Sequence, residues 1–330
     1  MLEHGGRLRQ AAQRFGIPLN DWLDLSTGIN PHAYPAPPIP ATAWQRLPED
    51  NDGLEEAAAH YYGTDQLLPV AGTQPAIQAL PGLIPGERVT VLAPTYAEHP
   101  HAWRERRMRT CAPGDIERTL SDTDVLLLVS PNNPTGAAFS RERLLDWHAR
   151  LAARGGWLVI DEAFIDCAPD ESLAGEAGRE NLVILRSLGK FFGLAGARVG
   201  FVLASQGLRQ ELAERLGPWT IAGPARHVAR TALADTAWQS QMRERLANEG
   251  VRLAELLRAS GLGEPNGTAL FQWITHPDAQ AIQDQLARAG ILIRRFDNPP
   301  SLRFGLPPDE SGWARLAHAL AAIPQTSRHR

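Results

Sequence analysis

The 330-residue chain has almost no lysine: Lys190 stands alone, and every other member of its Lys+Arg total of 33 is arginine. An arginine guanidinium keeps its proton in a protein, whereas a lysine amine can lose it and attack a carbonyl. Lys190 is therefore a candidate imine-forming nucleophile. A leftover surface lysine is the alternative, and the neighbouring residues must separate the two. Cysteine is scarce as well. Cys111 and Cys167 show neither metal-ligand spacing nor a disulfide framework, so a reducing cytoplasm and no metal site are expected. No apolar run reaches the roughly 18 to 20 residues that cross a bilayer. The segment Met1–Asn20 lacks the apolar core of an export signal. A net charge of −4 carries no basic excess, which argues against nucleic-acid binding. No internal repeat is present.

What the chain does have is an ordinary globular balance, 43% hydrophobic and 21% charged, at a length that implies about two lobes. Helical spacing runs from Arg7 to Phe15 and from Leu54 to Tyr62, the latter closed by Gly63. The prolines of Pro31 to Pro40 read as an extended connector. Four apolar runs follow, Val89–Ala93, Val125–Val129, Trp157–Ile160 and Leu182–Leu185, with a further strand-like run at Val199–Leu203. Helical patterns such as Arg141–Arg154 lie between them. Strands that are apolar throughout, alternating with helices, indicate an α/β lobe with a mostly parallel sheet buried on both faces. From Leu208 the pattern changes to long helical stretches (Leu208–Leu216, Pro224–Ser260, Asp278–Ala289) around shorter strands at Ala269–Ile274, Ile291–Arg294 and Ser301–Gly305. This predicts a smaller α+β domain. The expected division is an N-terminal arm, 1–43, packing on the small domain, a large domain, 44–206, and a small domain, 207–330. The polar tail after Pro324 is expected to fray.

Several strands end in unusual polar signatures, and ligands of open α/β sheets bind beyond the carboxyl ends of strands. After Val129 comes Ser130-Pro-Asn-Asn-Pro-Thr-Gly136, a rigid turn that presents Asn133. After Ile160 comes Asp161-Glu-Ala-Phe164. A buried acid there needs a partner, or else it merely caps a turn. Glu162 should point to the opposite face. After Leu185 come Ser187, Lys190 and, eight residues on, Arg198, with a hydroxyl and a guanidinium suited to phosphate. Upstream, Gly72 permits a close approach, Thr73 supplies a hydroxyl and Pro75 suits a first helical turn; a plain helix cap explains them equally well. Tyr96 follows a strand end, where its ring could stack on a flat ligand or simply pack.

One ligand uses all of these groups: pyridoxal 5′-phosphate. Its aldehyde suits Lys190, its ring nitrogen Asp161, its 3-hydroxyl Asn133, and its phosphate Thr73, Ser187 and Arg198.

The segments SPNNPTG, DEAF and SLGKFFGLAGAR, in that order and spacing, resemble the fold-type I pyridoxal-phosphate enzymes of the class I/II aminotransferase group. The resemblance runs from about His4 to Leu320. It implies a large domain with a mostly parallel, seven-stranded sheet, a smaller α+β domain and a homodimer. Two branches are similar, histidinol-phosphate aminotransferase and the threonine-phosphate decarboxylase of cobalamin biosynthesis. Three features resemble the decarboxylase branch: His4-Gly5-Gly6 with Leu23–Pro31, the phenylalanine Phe164 where aminotransferases usually carry tyrosine, and the segments Ile291–Arg294 and Leu302–Gly305. The resemblance implies a small phosphorylated amino-acid substrate held by His4, Gly5, Arg294 and Arg303, with Asn133 touching cofactor and substrate. Gly28 stands where that branch's substrate motif has asparagine. Arg46-Leu47-Pro48 replaces a tyrosine that reaches the neighbouring subunit in related enzymes. The expected reaction is decarboxylation, with Lys190 and Asp161 catalytic. Transamination of a phosphorylated amine is the runner-up, and a catalytically silent cofactor-binding module is the alternative of another class.

Overall fold

The computed structural model describes residues 4–324; the tail after Pro324 lies outside the described residues. In chain order the strands are β1 (Leu23–Leu25), β2 (Leu67–Val70), β3 (Arg88–Leu92), β4 (Arg107–Cys111), β5 (Val125–Val129), β6 (Trp157–Asp161), β7 (Leu182–Ser187), β8 (Gly200–Ala204), β9 (Asn266–Thr268), β10 (Phe271–Thr275), β11 (Ile291–Asp297) and β12 (Pro300–Gly305). The helices are α1 (Leu8–Phe15), α2 (Ala41–Gln45), α3 (Leu54–Tyr62), α4 (Gln74–Ala79), α5 (Glu98–Ala102), α6 (Ile116–Thr119), α7 (Arg141–Ala152), α8 (Gln206–Leu216), α9 (Gly223–Ala234), α10 (Thr236–Ala259), α11 (Ala279–Arg288) and α12 (Glu310–Ala321).

Two compact units divide the chain. The large one holds Ala33–Asn133 and Ala137–Gln241; the small one takes the residues up to His32, Pro134–Gly136, and those from Met242 onward. The large unit is built on a 7-stranded sheet in the order β2-β8-β7-β6-β5-β3-β4. Strands β7, β6, β5, β3 and β4 run parallel, and β8 is antiparallel to both its neighbours. Every residue of β5 and β8 is buried, as continuous apolar runs require in a sheet covered on both faces. Val125, Leu127, Val159, Val183, Leu185 and Val202 supply one face of the core, together with Ile77 of α4 and Leu212 of α8. The small unit carries a 5-stranded sheet in the order β1-β11-β12-β10-β9, antiparallel except where β1 joins β11.

The division differs from the one expected at 43/44 and 206/207. Residues 33–43 group with the large unit, because α2 lies against the start of α9 so closely that a Cβ on Gly223 would stand 2.5 Å from the Ala43 carbonyl oxygen. The second division falls between Gln241 and Met242, inside α10. Helices α8 and α9 stay with the large unit because each packs on one of its helices, α4 and α3 respectively. Arg226 of α9, nearly buried, bonds Asp52 at 2.7 Å and Glu55 at 2.7 Å. The stretch 224–260 is also two helices rather than one. They part at Asp235, whose carboxylate accepts the Trp238 N–H at 3.0 Å and so caps α10.

Candidate active site

The polar signatures gather at the carboxyl edge of the large sheet. Thr73, Tyr96, Asn133, Asp161, Ser187, Lys190 and Arg198 line one pocket, with Gln74, Phe164, Val129 and Ala163. Sequence reasoning named the first seven. Gly72 is the remaining cofactor residue it named, and it stands at the same place: a Cβ there would lie 2.5 Å from the Arg198 guanidinium. Its φ of +70° is one that glycine adopts without cost.

Asp161 ends β6 in the interior, only 3% exposed. Its Oδ2 lies 2.8 Å from His99 Nε2, and its Oδ1 accepts the Ala163 N–H at 3.0 Å. Both alternatives thus hold in part: one oxygen caps a turn while the other is partnered by an imidazole. His99 is a residue the sequence reading missed. It sits on the short helix α5, and its only local signal is its place three residues after Tyr96, whose ring meets the imidazole edge-on at 5.9 Å.

Lys190 is half-buried, with its Nζ 5.5 Å from the centre of the Phe164 ring. Ser187 ends β7, and its Oγ accepts the Gly189 N–H at 3.2 Å. Arg198 adopts the left-handed φ of 54° and donates to the Ala195 carbonyl at 3.3 Å. Beside it, a Cβ on Gly200 would come within 3.0 Å of the Thr73 amide nitrogen and 2.9 Å of the Arg186 carbonyl oxygen. The absence of a side chain at Gly200 therefore lets the Thr73 turn lie against the start of β8.

The turn that presents Asn133 is fixed by its neighbour. Asn132, 1% exposed, donates to the Pro94 carbonyl at 2.9 Å and accepts from Thr95 Oγ1 at 3.0 Å. That pair of bonds ties the turn after β5 to the loop that carries Tyr96. Burial, then the charges of Asp161 and Glu98, push the Tyr96 phenol up to about 12, so the ring faces the pocket as a neutral group.

Within the small unit, His4, Gly5 and Arg294 line a cleft of their own, together with Arg7, Ser26 and Arg295. Ser26 organises it. Its Oγ accepts the Gly6 N–H at 2.8 Å and donates to Asp24 at 2.6 Å. Its carbonyl accepts from Arg303 at 2.9 Å, and a Cβ on Gly5 would strike that same oxygen at 2.3 Å. Arg303 pairs across the sheet with Arg294 and lies over the Phe271 ring at 5.1 Å. Burial and then the Arg294 charge push its guanidinium down to about 10. It stays charged at neutral pH, in surroundings that an anion would relieve. Gly28 is buried three residues beyond β1 and does not line this cleft.

Comparison with known proteins matches residues 46–320 to one family, aminotransferase class I and II. The chain belongs to that family. It is 58% identical over 327 residues to the threonine-phosphate decarboxylase of Pseudomonas aeruginosa, covering 98% of this chain and 99% of that one. It is 43% identical over 329 residues to a Sinorhizobium threonine-phosphate decarboxylase, covering 97% and 98%. The solved structure of histidinol-phosphate aminotransferase from Sinorhizobium meliloti in complex with pyridoxal-5′-phosphate superposes with a TM-score of 0.83, covering 98% of this chain and 96% of that one at 21% identity. The fold is thus the fold-type I arrangement that the motifs implied.

The large-unit pocket of this class I and II family member holds a donor set that would fit pyridoxal phosphate. An amine stands for the aldehyde, and a buried carboxylate for the ring nitrogen. A guanidinium with two hydroxyls stands for the phosphate, packed so tightly that no Cβ fits on Gly72. Among the described residues no cluster of histidine, cysteine and acidic side chains could hold a metal ion, and no helix is long and apolar enough to cross a membrane.

Proposed function

We propose that the chain is a pyridoxal-phosphate-dependent decarboxylase. It converts L-threonine O-3-phosphate to (R)-1-amino-2-propanol O-2-phosphate, a step of cobalamin biosynthesis. The observation that carries this reading over transamination is the likeness to threonine-phosphate decarboxylases along nearly the whole chain, at up to 58% identity. Phe164 agrees with it, since it offers the cofactor no hydroxyl beside Lys190.

When bound in the pocket, pyridoxal 5′-phosphate supplies an aldehyde for the substrate amine and a protonated ring that takes up the electrons of a broken Cα bond. Asp161 would hold the proton on the ring nitrogen, and His99 with the Ala163 N–H holds Asp161. Asn133 would donate to the ring 3-oxygen and Tyr96 would cover a ring face. Thr73, Ser187 and Arg198 would hold the phosphate, with Gly72 making room for the guanidinium. Lys190 would be the attachment point. Its amine, when free, would be placed to return a proton to the substrate Cα. His4, Gly5, Arg294 and Arg303 bind the substrate's carboxylate and phosphate, and Gly28 belongs to the same substrate segment. Fixing the carboxylate, rather than removing the Cα proton, is what separates decarboxylation from transamination. The enzyme works as a homodimer in the cytoplasm.

The test is a substrate screen with phosphothreonine, phosphoserine and histidinol phosphate, each with and without 2-oxoglutarate. Carbon dioxide release from phosphothreonine without an oxo acid is expected. Turnover of histidinol phosphate that depends on 2-oxoglutarate would replace the reading by the aminotransferase one. Sedimentation equilibrium tests the dimer.

A further inference from the structure

We propose that Arg186, Glu162, Asp166 and Tyr61 form a buried brace that positions Asp161, Ser187 and Lys190 from the far side of the sheet. The proposal rests on the reading of the large-unit pocket as a pyridoxal-phosphate site.

Asp161 and Ser187 end the neighbouring parallel strands β6 and β7 and both line the pocket. Side chains alternate along strands. One residue past Asp161 and one before Ser187, Glu162 and Arg186 therefore turn to the opposite face. There they meet: Arg186 lies 3.3 Å from Glu162 and also bonds Asp166, and all three side chains are at most 3% exposed. Ser172 joins the pair, accepting from Arg186 at 2.8 Å and donating to Glu162 at 2.5 Å. The Leu173 N–H donates to Glu162 at 2.8 Å, and the Arg186 guanidinium lies 4.6 Å over the Tyr62 ring.

The brace also reaches the lysine loop. Tyr61 donates to Asp166 at 2.9 Å, and its ring packs edge-on against Phe192, two residues beyond Lys190, at 5.5 Å. The Phe192 carbonyl in turn accepts the Tyr34 N–H at 2.9 Å. Each of the three pocket groups thus has a near neighbour in the chain anchored to one cluster.

Burying one cation with two carboxylates is a poor way to gain stability, since apolar residues of equal volume often pack as well or better. What an apolar filling lacks is direction. Charged hydrogen bonds hold their donors and acceptors within narrow distances and angles, and a reacting constellation needs that of its supports. No member of the cluster lines the pocket, so its members act through Asp161, Ser187 and Lys190 and are positioning residues.

The experiment compares the full-length wild type with Tyr61→Phe, Arg186→Lys and Arg186→Met. It reads the melting temperature before cofactor is added, the pyridoxal-phosphate affinity by absorbance titration, and kcat and KM separately. Tyr61→Phe and Arg186→Lys are expected to melt near the wild type, to bind the cofactor more weakly and to lose kcat on the order of tenfold, with KM little changed. Arg186→Met should lose more than Arg186→Lys. Variants that melt lower yet bind cofactor and turn over like the wild type would reduce the cluster to a structural role and overturn the proposal. If Arg186→Met does not fold, Tyr61→Phe decides alone. A wild type that binds no cofactor would instead overturn the pocket reading, so the two failures are distinguishable.

Discussion

His99 Nε2 and Asp161 Oδ2 lie 2.8 Å apart, with side chains only 1% and 5% exposed. Sixty-two residues separate them in the chain. This contact sets the chemistry of the pocket floor, because a carboxylate sealed at that depth must be bonded on both oxygens. Replacing His99 by Phe leaves one Asp161 oxygen without its partner, a loss of about 1–3 kcal/mol. His99→Phe should therefore weaken cofactor binding about tenfold or more, and His99→Gln, which can still donate, should weaken it less. Absorbance titration of the two variants checks the order. Equal affinities would mean that the imidazole does not support Asp161.

Lys190→Ala should abolish turnover and remove the yellow colour of the cofactor-loaded protein. Borohydride followed by mass spectrometry checks the covalent link directly: the wild type should retain a cofactor adduct on that residue and the variant should not. Since Lys190 is the chain's single lysine, no other lysine can take over the reaction.

Arg303→Ala should raise KM for phosphothreonine far more than it alters the cofactor dissociation constant. Arg303 lies in the small unit and bonds the Ser26 carbonyl, whereas the proposed cofactor groups lie in the large unit. Steady-state kinetics beside a cofactor titration separates the two effects. An unchanged KM removes Arg303 from the substrate set.

Asp124 gives a pH signature. The bonds from the Arg88 side chain, then those from the Arg88 and Glu87 amides, hold its carboxyl far below the usual carboxylate range against some burial. Its folded pKa is thus below the unfolded value of about 3.9. The pairing contributes stability above that value and loses it as pH falls through the folded pKa. Asp124→Asn should accordingly melt below the wild type at neutral pH, and the difference should shrink as the pH is lowered below about 4. Calorimetry across the acid range checks this; a gap that stays constant in acid would assign the effect to packing.

Much of the site is legible in the sequence because its groups sit in short, rigid segments next to strand ends. Asn133 is set by the prolines around it, Asp161 follows an apolar strand directly, and Ser187, Lys190 and Arg198 fall within a dozen residues of one another. The same local logic places β5, β6 and β7 within a residue or two of their observed ends. The domain division is less legible. Composition changes near residue 208, but α8 remains with the large unit because it packs on α4, and α9 because Arg226 pairs with Asp52 and Glu55, far upstream. Asp235 reads as one more helical residue until its carboxylate is seen capping the helix that follows.

The sequence by itself set out the candidate chemistry: one deprotonatable amine, an acid at a strand end, an amide in a rigid turn, and hydroxyls with a guanidinium suited to a phosphate, each written in contiguous residues. Only the tertiary structure decided what supports them. His99 reaches Asp161, Asn132 reaches Pro94, and Tyr61 reaches Asp166 across gaps that no local pattern encodes. The physical reason is that hydrogen bonds between buried side chains depend on which strand ends become neighbours, and that is settled by the packing of the sheet as a whole.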